Sequence, residues 1–164
     1  MRYSNGGRRR LGLRRSSLGV LLIAVALTVW GWSLTWHLAD DAFITYRYLS
    51  NAMAGHGLVW NAAPFERADG NTDFLWSMLL LAIWKVFGVE PPAIANSLAL
   101  GFGIATLWLL ARAAERLPLP AALARWRVIV VALVLLPVAS NRAFLASLSS
   151  GIGQAIFNFA LVAW

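Results

Sequence analysis

The feature that most constrains this chain is an uncharged run of 19 residues from Leu18 to Trp36. A helix of that length rises about 28 Å, which matches the roughly 30 Å hydrocarbon layer of a bilayer. A cleaved signal peptide is the alternative. Cleavage after Ala39 would put His37 where a small residue is needed, and the run is longer than a usual signal core. The run therefore predicts an uncleaved transmembrane anchor.

The composition agrees with a membrane-embedded fold. The chain is 60% hydrophobic and 13% charged, whereas soluble domains are about half apolar and about a quarter charged. It contains no cysteine, which excludes disulfides and thiolate metal ligands. The sequence thus predicts an all-α integral membrane protein.

The positive charge is concentrated before the anchor. The net charge is +7, and six arginines precede Leu18: Arg2, Arg8, Arg9, Arg10, Arg14 and Arg15. Cytoplasmic ends of membrane proteins carry such residues, so we predict a basic cytoplasmic tail over residues 1–17 and no nucleic-acid partner.

Four more apolar runs follow the anchor, at residues 74–88, 93–111, 127–139 and 152–164. If every run crossed the bilayer, the arginine-rich connection 112–127 would lie outside, against the positive-inside rule. The run 74–88 is short and carries Lys85. We therefore place this run along the external surface of the membrane rather than across it.

This assignment gives about four transmembrane helices. The first covers residues 18–36, an external region with juxtamembrane helices covers 37–92, and the other spans lie within 93–164. Residues 139–151 are then external as well. Because the last apolar run stops at Trp164 without a flanking charge, we expect the chain to be the N-terminal part of a larger protein.

Two adjacent acids, Asp40 and Asp41, follow the anchor directly. Carboxylates near the hydrocarbon edge are costly unless they are paired or hydrated, which makes them candidates for function. The alternative is that Asp41 caps a helix over 42–54, which ends at Gly55. In that helix an apolar stripe suited to the membrane surface would consist of Ala42, Tyr46, Leu49 and Met53.

Arg47 lies seven residues after Asp40, almost two helical turns away and on a similar side. A carboxylate in this position can take a proton from a hydroxyl, and the guanidinium can hold a phosphate. The alternative for Arg47 is a plain ion pair with Glu66 or Asp69.

Two segments after this helix contain residues with a candidate role. Gly55 and Gly57 permit a positive-φ turn around His56, which can bind a metal or a phosphate, or make an ordinary surface hydrogen bond. Further along, the Asn-Thr pair at 71–72 fits a helix cap before Asp73.

Three sequence blocks in order carry a resemblance to a known family. They are "DDAFITYRY" at 40–48, "GHGLVWN" at 55–61 and "ERADGNTDFLW" at 66–76. They resemble the patterns D-D-A-[FY]-I-[ST]-x-R-Y, G-x-G-L-V-[FW]-N and E-R-x-[ED]-G-x-T-[NS]-x-L-W. These patterns are typical of GT-C fold, polyprenyl-phosphate-sugar-dependent glycosyltransferases, the family of the mycobacterial terminal β-1,2-arabinofuranosyltransferase. A fourth pattern, S-G-L-E-T, is represented by "SSGIGQA" at 149–155, which has no glutamate and carries Gln154 in this part of the pattern.

The resemblance implies the N-terminal module of a multi-spanning GT-C transferase. One of Asp40 and Asp41 would be the general base on an acceptor hydroxyl, and which of them it is stays open. Arg47, Lys85 or a divalent metal ion would stabilise the departing phosphate, although no cofactor is certain. The residues implied to bind substrate are Arg47, Tyr48, His56, Asn61, Glu66, Arg67, Thr72 and Lys85.

The implied substrates are a polyprenyl-phosphate-linked sugar as donor and a cell-envelope glycan as acceptor. The protein would lie in the bacterial cytoplasmic membrane, with a cytoplasmic N-terminus and an external active site. We expect Asp40→Asn or Asp41→Asn to abolish transfer in the complete protein, and the 164-residue chain alone to be inactive.

A second hypothesis stays open, because this block, with Gln154, lacks the carboxylate that the pattern contains. The alternative function is a non-catalytic membrane protein that scaffolds or regulates envelope machinery. A small transporter fits less well, since the apolar runs carry almost no charged residues to line a pathway.

Overall fold

The structure, a computed structural model, describes residues 13–66, 68, 70 and 72–164. In this part of the chain there are helices and connections but no strand. In chain order the helices are α1 Arg15–Leu34, α2 Asp40–Met53, α3 Phe74–Phe87, α4 Pro91–Arg116, α5 Ala121–Ala124, α6 Arg127–Ala139, α7 Arg142–Ser149 and α8 Gln154–Ala163. Most of the predicted basic tail lies outside the described residues.

Two helices are long and apolar enough to cross a bilayer: α1, with 20 residues, and α4, with 26. The pair α6 and α7 adds a third span if it is one broken element, since the two helices meet at a bend of 57°. The apolar helices α3 and α8 are shorter, with 14 and 10 residues. An all-helical membrane protein is therefore confirmed for the described residues, whereas a count of four spans stays a prediction.

The helices α1, α4 and α6 pack along one another through small buried side chains. Ala24, Ala111 and Ala139 are fully buried where these helices meet. Small residues let helix backbones approach closely, which is how membrane bundles gain packing energy without a hydrophobic driving force.

One end of this bundle, which we name the basic end, is fixed by polar contacts. Glu115 Oε2 lies 3.8 Å from Arg14 Nε, and Ser17 Oγ donates to Glu115 Oε1. Arg127 Nη1 donates to the carbonyl oxygens of Glu115 and Leu117, at 2.6 and 3.0 Å. These bonds satisfy carbonyls at the C-terminus of α4 that have no partner within the helix.

The opposite end of the bundle carries a second core, in which α2 and α3 pack against α4. Ala42, Tyr46 and Leu49 of α2 are buried in this core, while Met53 is 39% exposed. The prediction that this stripe lies on the membrane surface is therefore wrong. The stripe contacts other helices, since Trp76 of α3 and its neighbours already offer it an apolar surface.

Most of the segment 139–151, predicted to be external, forms α7 and packs against α1. Asn141 Oδ1 caps α7 by accepting hydrogen bonds from the backbone N–H groups of the second and third residues after it. Leu145 lies against Gly31, where an added Cβ would come within 2.6 Å of Leu145 Cδ1. This close approach brings Ser149, the last residue of α7, to the end of the bundle where α2 begins.

Candidate functional site

Residues 149–153, which form most of the fourth sequence block, are hydrogen-bonded to the segment that leads into α2. The backbone N–H of His37 donates to Ser149 O at 3.1 Å. Asn96 of α4 adds two bonds from Nδ2, to His37 O at 2.8 Å and to Ser149 O at 3.0 Å. The fourth block therefore has a fixed position beside the first block.

Gly151 lies at the centre of this region. Its carbonyl oxygen accepts hydrogen bonds from Trp76 Nε1 at 3.0 Å and from Tyr46 Oη at 3.3 Å. Burial raises the pKa of Tyr46 from 10.0 to about 12, so its hydroxyl stays protonated in moderately alkaline solution as well as at neutral pH. The φ of Gly151 is +80°, and an added Cβ would lie 2.6 Å from Tyr46 Oη and 2.8 Å from Leu38 Cδ2. Only glycine fits this position.

Asp73 binds the same segment through its carboxylate. Asp73 Oδ2 accepts a 3.1 Å hydrogen bond from the backbone N–H of Gly153. An added Cβ at Gly153 would lie 2.8 Å from Trp76 Cβ and 3.1 Å from Asp73 Cγ. The missing side chain at Gly153 is therefore what lets the backbone reach the carboxylate.

These contacts enclose a cleft of about 360 Å³, which we name the acid cleft. It is lined by Asp41, Ile44, Thr45, Gly70, Thr72, Asp73, Ile152 and Gln154. Three helix N-termini contribute to its wall, because Asp41 lies in the first turn of α2, Asp73 is the N-cap of α3 and Gln154 begins α8. Helix N-termini present backbone N–H groups and a partial positive charge. The cleft thus joins the first, third and fourth blocks.

The second block packs against a different part of α2. Arg47 Nε donates to Trp60 O at 3.0 Å, and Arg47 Cζ lies 4.8 Å from the centroid of the Trp60 ring. Asn51 Nδ2 donates to Trp60 O at 2.9 Å. Tyr48 is buried, and its hydroxyl donates to Ala68 O at 2.9 Å. In the structure Arg47 and Tyr48 therefore hold the second and third blocks onto α2.

Three further candidates also lie away from the wall of the acid cleft. Asp40 is exposed as the first residue of α2. His56 is exposed in the turn between Gly55 and Gly57, whose φ values of +85° and +81° confirm the predicted positive-φ turn. Lys85 is exposed in the last turn of α3, which is about 18 Å along that helix from the end beside the cleft.

The remaining residues predicted to bind substrate belong to the connection between α2 and α3. Asn61 Nδ2 donates to Glu66 O at 3.2 Å, so both residues stabilise this connection. Arg67 and Asp69 lie outside the described residues.

The predicted alternative of an ion pair between Arg47 and Glu66 is not found in the described part of the chain. Nor does that part contain a group of three or more histidine or acidic side chains placed to hold a metal ion.

The capping role considered for Asp41 is wrong, and the N-cap of α3 is Asp73 rather than the Asn-Thr pair before it. The helix α2 begins at Asp40 with Ala39 as N-cap, so Asp41 does not cap it. Asp73 occupies the N-cap of α3 but makes no side-chain capping bond, because its carboxylate accepts a hydrogen bond from the backbone N–H of Gly153 instead.

Asp73 and Gln154 were not among the predicted site residues. Their position inside the sequence blocks that carry the resemblance was the available signal.

An apolar groove of about 440 Å³ lies next to the acid cleft, between α4, α6, α7 and α8. Its wall contains Thr106, Leu110, Val138, Ala143, Phe144, Ser147, Gln154, Asn158, Leu161 and Val162. Gln154 belongs to both walls. The groove and the cleft are therefore neighbouring cavities that share Gln154 as a wall residue.

Two curated proteins are similar to part of this chain. A terminal β-(1→2)-arabinofuranosyltransferase of Corynebacterium glutamicum is 38% identical over 72 residues, which are 44% of this chain and 10% of that protein. A protein of the same name from Mycobacterium tuberculosis is 41% identical over 68 residues, or 40% of this chain and 10% of that protein. The chain resembles the N-terminal part of these transferases.

The resemblance inferred from the sequence blocks is thereby confirmed, and it points to a glycosyltransferase. The matches span about a tenth of the length of the relatives. No family model matches the chain, and no solved structure matches it.

Proposed function

We propose that this chain is part of a GT-C type glycosyltransferase that moves a sugar from a polyprenyl-phosphate donor to a cell-envelope glycan. The reaction takes place on the external side of the bacterial cytoplasmic membrane. The main support is the acid cleft, where Asp41 and Asp73 line one cavity beside three helix N-termini. The similarity to two arabinofuranosyltransferases supports sugar transfer as the reaction class.

Asp41 is the general base in this reaction, because it lines the cleft and Asp40 does not. Its carboxylate takes the proton of an acceptor hydroxyl while the hydroxyl oxygen forms a bond to the anomeric carbon of the donor. The bond between that carbon and the phosphate oxygen breaks, and its electron pair leaves with polyprenyl phosphate. Since this leaving group is already a stable anion, no second carboxyl group is needed as an acid.

The charge on the leaving phosphate is stabilised by backbone groups of the cleft. The N-termini of α2, α3 and α8 line the cavity, and helix N-termini favour phosphate. Arg47 and Lys85, the cations expected in this role, lie elsewhere, since Arg47 binds Trp60 and Lys85 is at the far end of α3. Among the described residues, no group of three or more histidine or acidic side chains is placed to hold a divalent ion. No step of the proposed reaction uses a metal.

The apolar groove is suited to the isoprenoid chain of the donor. Leu110, Phe144, Leu161 and their neighbours give it an apolar wall between helices of the bundle. Because Gln154 lines both the groove and the acid cleft, a lipid in the groove would place its phosphate near the cleft. The catalytic cleft and the lipid site then adjoin at the start of α8.

The proposed activity belongs to the complete gene product, and we expect no transfer by the 164 residues alone. The test uses the complete protein, purified and inserted into lipid vesicles, with labelled decaprenyl-phosphate arabinofuranose and an envelope glycan acceptor. We expect label on the acceptor, and none when a nucleotide sugar replaces the lipid-linked donor. Inserted protein that transfers no sugar from any polyprenyl phosphate would contradict the proposal and favour the non-catalytic alternative.

A further inference from the structure

Two arginine–tryptophan pairs lie at the basic end of the bundle. In the α4 pair, Arg112 Cζ lies 5.3 Å from the centroid of the Trp108 ring, one helical turn earlier. In the α6 pair, Arg125 Cζ lies 5.4 Å from the centroid of the Trp126 ring, just before α6 begins. Both rings are about half exposed, with 46% for Trp108 and 48% for Trp126. The same arrangement therefore occurs twice on the surface of one end.

The guanidinium groups of both pairs lack a carboxylate partner in the part of the chain that the structure describes. Glu115 is the one acidic residue in the sequence between 91 and 164, and its carboxylate already pairs with Arg14. A cation close to the hydrocarbon edge is costly unless a counter-charge or water accompanies it. The positive charge of both pairs is therefore available to an anionic partner.

The length of α4 places the pairs at the level of phospholipid headgroups. The helix has 26 residues and rises about 39 Å, close to the roughly 40 Å of a bilayer with both headgroup layers. Arg112 lies four residues before the last residue of α4, Arg116, so it is about 6 Å from that end. The start of α6 is held at the same end by the bond from Arg127 Nη1 to Glu115 O. Because each headgroup layer is about 5–7 Å thick, both pairs lie near the phosphates, where exposed tryptophans are common.

We propose that each pair binds the phosphate of one anionic phospholipid in the membrane leaflet at the basic end. A guanidinium stacked on an aromatic ring keeps the N–H groups at its edge free, and these can hold a phosphate through two parallel hydrogen bonds. The exposed indole has an apolar body that contacts the acyl chain just below the headgroup. This inference is independent of the proposed reaction, and it holds for either orientation of the protein in the membrane.

A diffuse attraction to the membrane makes a different prediction. Any basic residue near an anionic surface is attracted to it, whatever side chain lies beside it. Arg15 is exposed at the basic end and stacks on no tryptophan among the described residues. In a diffuse attraction Arg15 would matter as much as Arg112. If the pairs are the binding sites, each arginine controls only the lipid at its own tryptophan.

The experiment uses the complete protein in phosphatidylcholine vesicles with a probe lipid, phosphatidylglycerol that carries a diazirine beside its headgroup. Illumination crosslinks bound probe, and peptide mass spectrometry measures the label separately at the α4 pair and the α6 pair. A phosphatidylcholine probe with the same diazirine is measured in parallel. Unlabelled phosphatidylglycerol and soluble glycerol 3-phosphate serve as competitors, which separates a lipid site from a site for free phosphate.

The variants are Arg112→Gln, Arg112→Lys, Arg125→Gln and the matched control Arg15→Gln, which loses the same charge at the same end. We expect Arg112→Gln to lower the label at the α4 pair by about tenfold, the usual loss for a hydrogen bond to a charged group. The label at the α6 pair should stay within about twofold, and Arg125→Gln should give the reverse pattern. Arg112→Lys should also lose label at the α4 pair, because an ammonium group neither stacks nor binds phosphate through a planar fork.

The unaltered protein should take up the phosphatidylglycerol probe about tenfold more than the phosphatidylcholine probe at both pairs. Equal labelling by the two probes would overturn the inference. So would Arg15→Gln lowering the label as much as Arg112→Gln, or glycerol 3-phosphate competing as well as phosphatidylglycerol. The label at the unaltered pair shows that each variant is inserted and folded. If Arg112→Gln does not insert, Trp108→Leu replaces it, with the same expected loss at the α4 pair alone.

Discussion

Trp76 Nε1 donates a 3.0 Å hydrogen bond to the carbonyl oxygen of Gly151, across 75 positions of the chain. This contact joins the third sequence block, at the start of α3, to the fourth block, just before α8. Residues close to Trp76 in the chain and residues close to Gly151 both line the acid cleft. The conformation at Gly151 therefore determines how Asp73 and Gln154 are placed relative to Asp41.

Gly151→Ala should destabilise the protein more than Gly55→Ala, although both glycines have nearly the same φ, +80° and +85°. A left-handed conformation costs an alanine about 1–2 kcal/mol at either position. At Gly151 the new Cβ would also clash with Tyr46 Oη, 2.6 Å away, which adds about 1–3 kcal/mol of overpacking. At Gly55 nothing lies within 4 Å. Thermal unfolding in detergent measures the difference, and equal losses of stability would contradict this packing.

Tyr46 should make the protein less stable at high pH. Its pKa is raised from 10.0 to about 12 by burial, so between those values the unfolded chain loses the phenol proton while the folded chain keeps it. The stabilisation is fully present below pH 10 and is lost as the pH rises toward 12, by on the order of 2 kcal/mol. Unfolding midpoints from pH 8 to 12 measure this slope for the unaltered protein.

Tyr46→Phe is the control for the alkaline slope, because it removes the titrating group and keeps the ring in the core. It also removes the hydroxyl that donates to Gly151 O, so its midpoint should be lower at neutral pH. The difference between the two proteins should shrink as the pH rises above 10. A constant difference from pH 8 to 12 would show that Tyr46 does not titrate with a raised pKa.

The predicted orientation can be tested with single cysteines, since the chain has none of its own. His56 is exposed between α2 and α3, and Ala122 is exposed in α5 near the basic end. We expect a membrane-impermeant maleimide to label His56→Cys in intact cells, and to label Ala122→Cys only after permeabilisation. The reverse pattern would mean that the acid cleft faces the cytoplasm.

The long elements of the fold follow from local properties of the sequence. The uncharged run after Leu18 became α1, and the short run with Lys85 became a helix of 14 residues, too short to span a bilayer. The turn around His56 also formed as predicted, because two glycines there have positive φ. Such features depend on the composition of one segment, which is why they can be predicted without any knowledge of the packing.

The acid cleft could not be predicted in the same way, because it depends on contacts between distant segments. Asp73 was not assigned to the site, since nothing local indicates that Gly153 approaches its carboxylate. The stripe of α2 was assigned to the membrane surface, since its apolar side chains fit a bilayer as well as they fit Trp76 and its neighbours. Arg47 was assigned to phosphate, whereas the structure places it on Trp60. Sugar, acceptor and site residues remain predictions.

The most direct test of the central claim is the transfer rate of Asp41→Asn beside Asp40→Asn, in the complete gene product inserted into vesicles. A general base contributes about 10²- to 10⁴-fold, so Asp41→Asn should lower transfer by at least about 100-fold. Both acids are exposed in the first turn of α2, but Asp40 does not line the acid cleft. Its loss should therefore cost less than about fivefold, through its interaction with the helix N-terminus. Normal transfer by Asp41→Asn, with normal insertion, would contradict the claim that the acid cleft is the catalytic site.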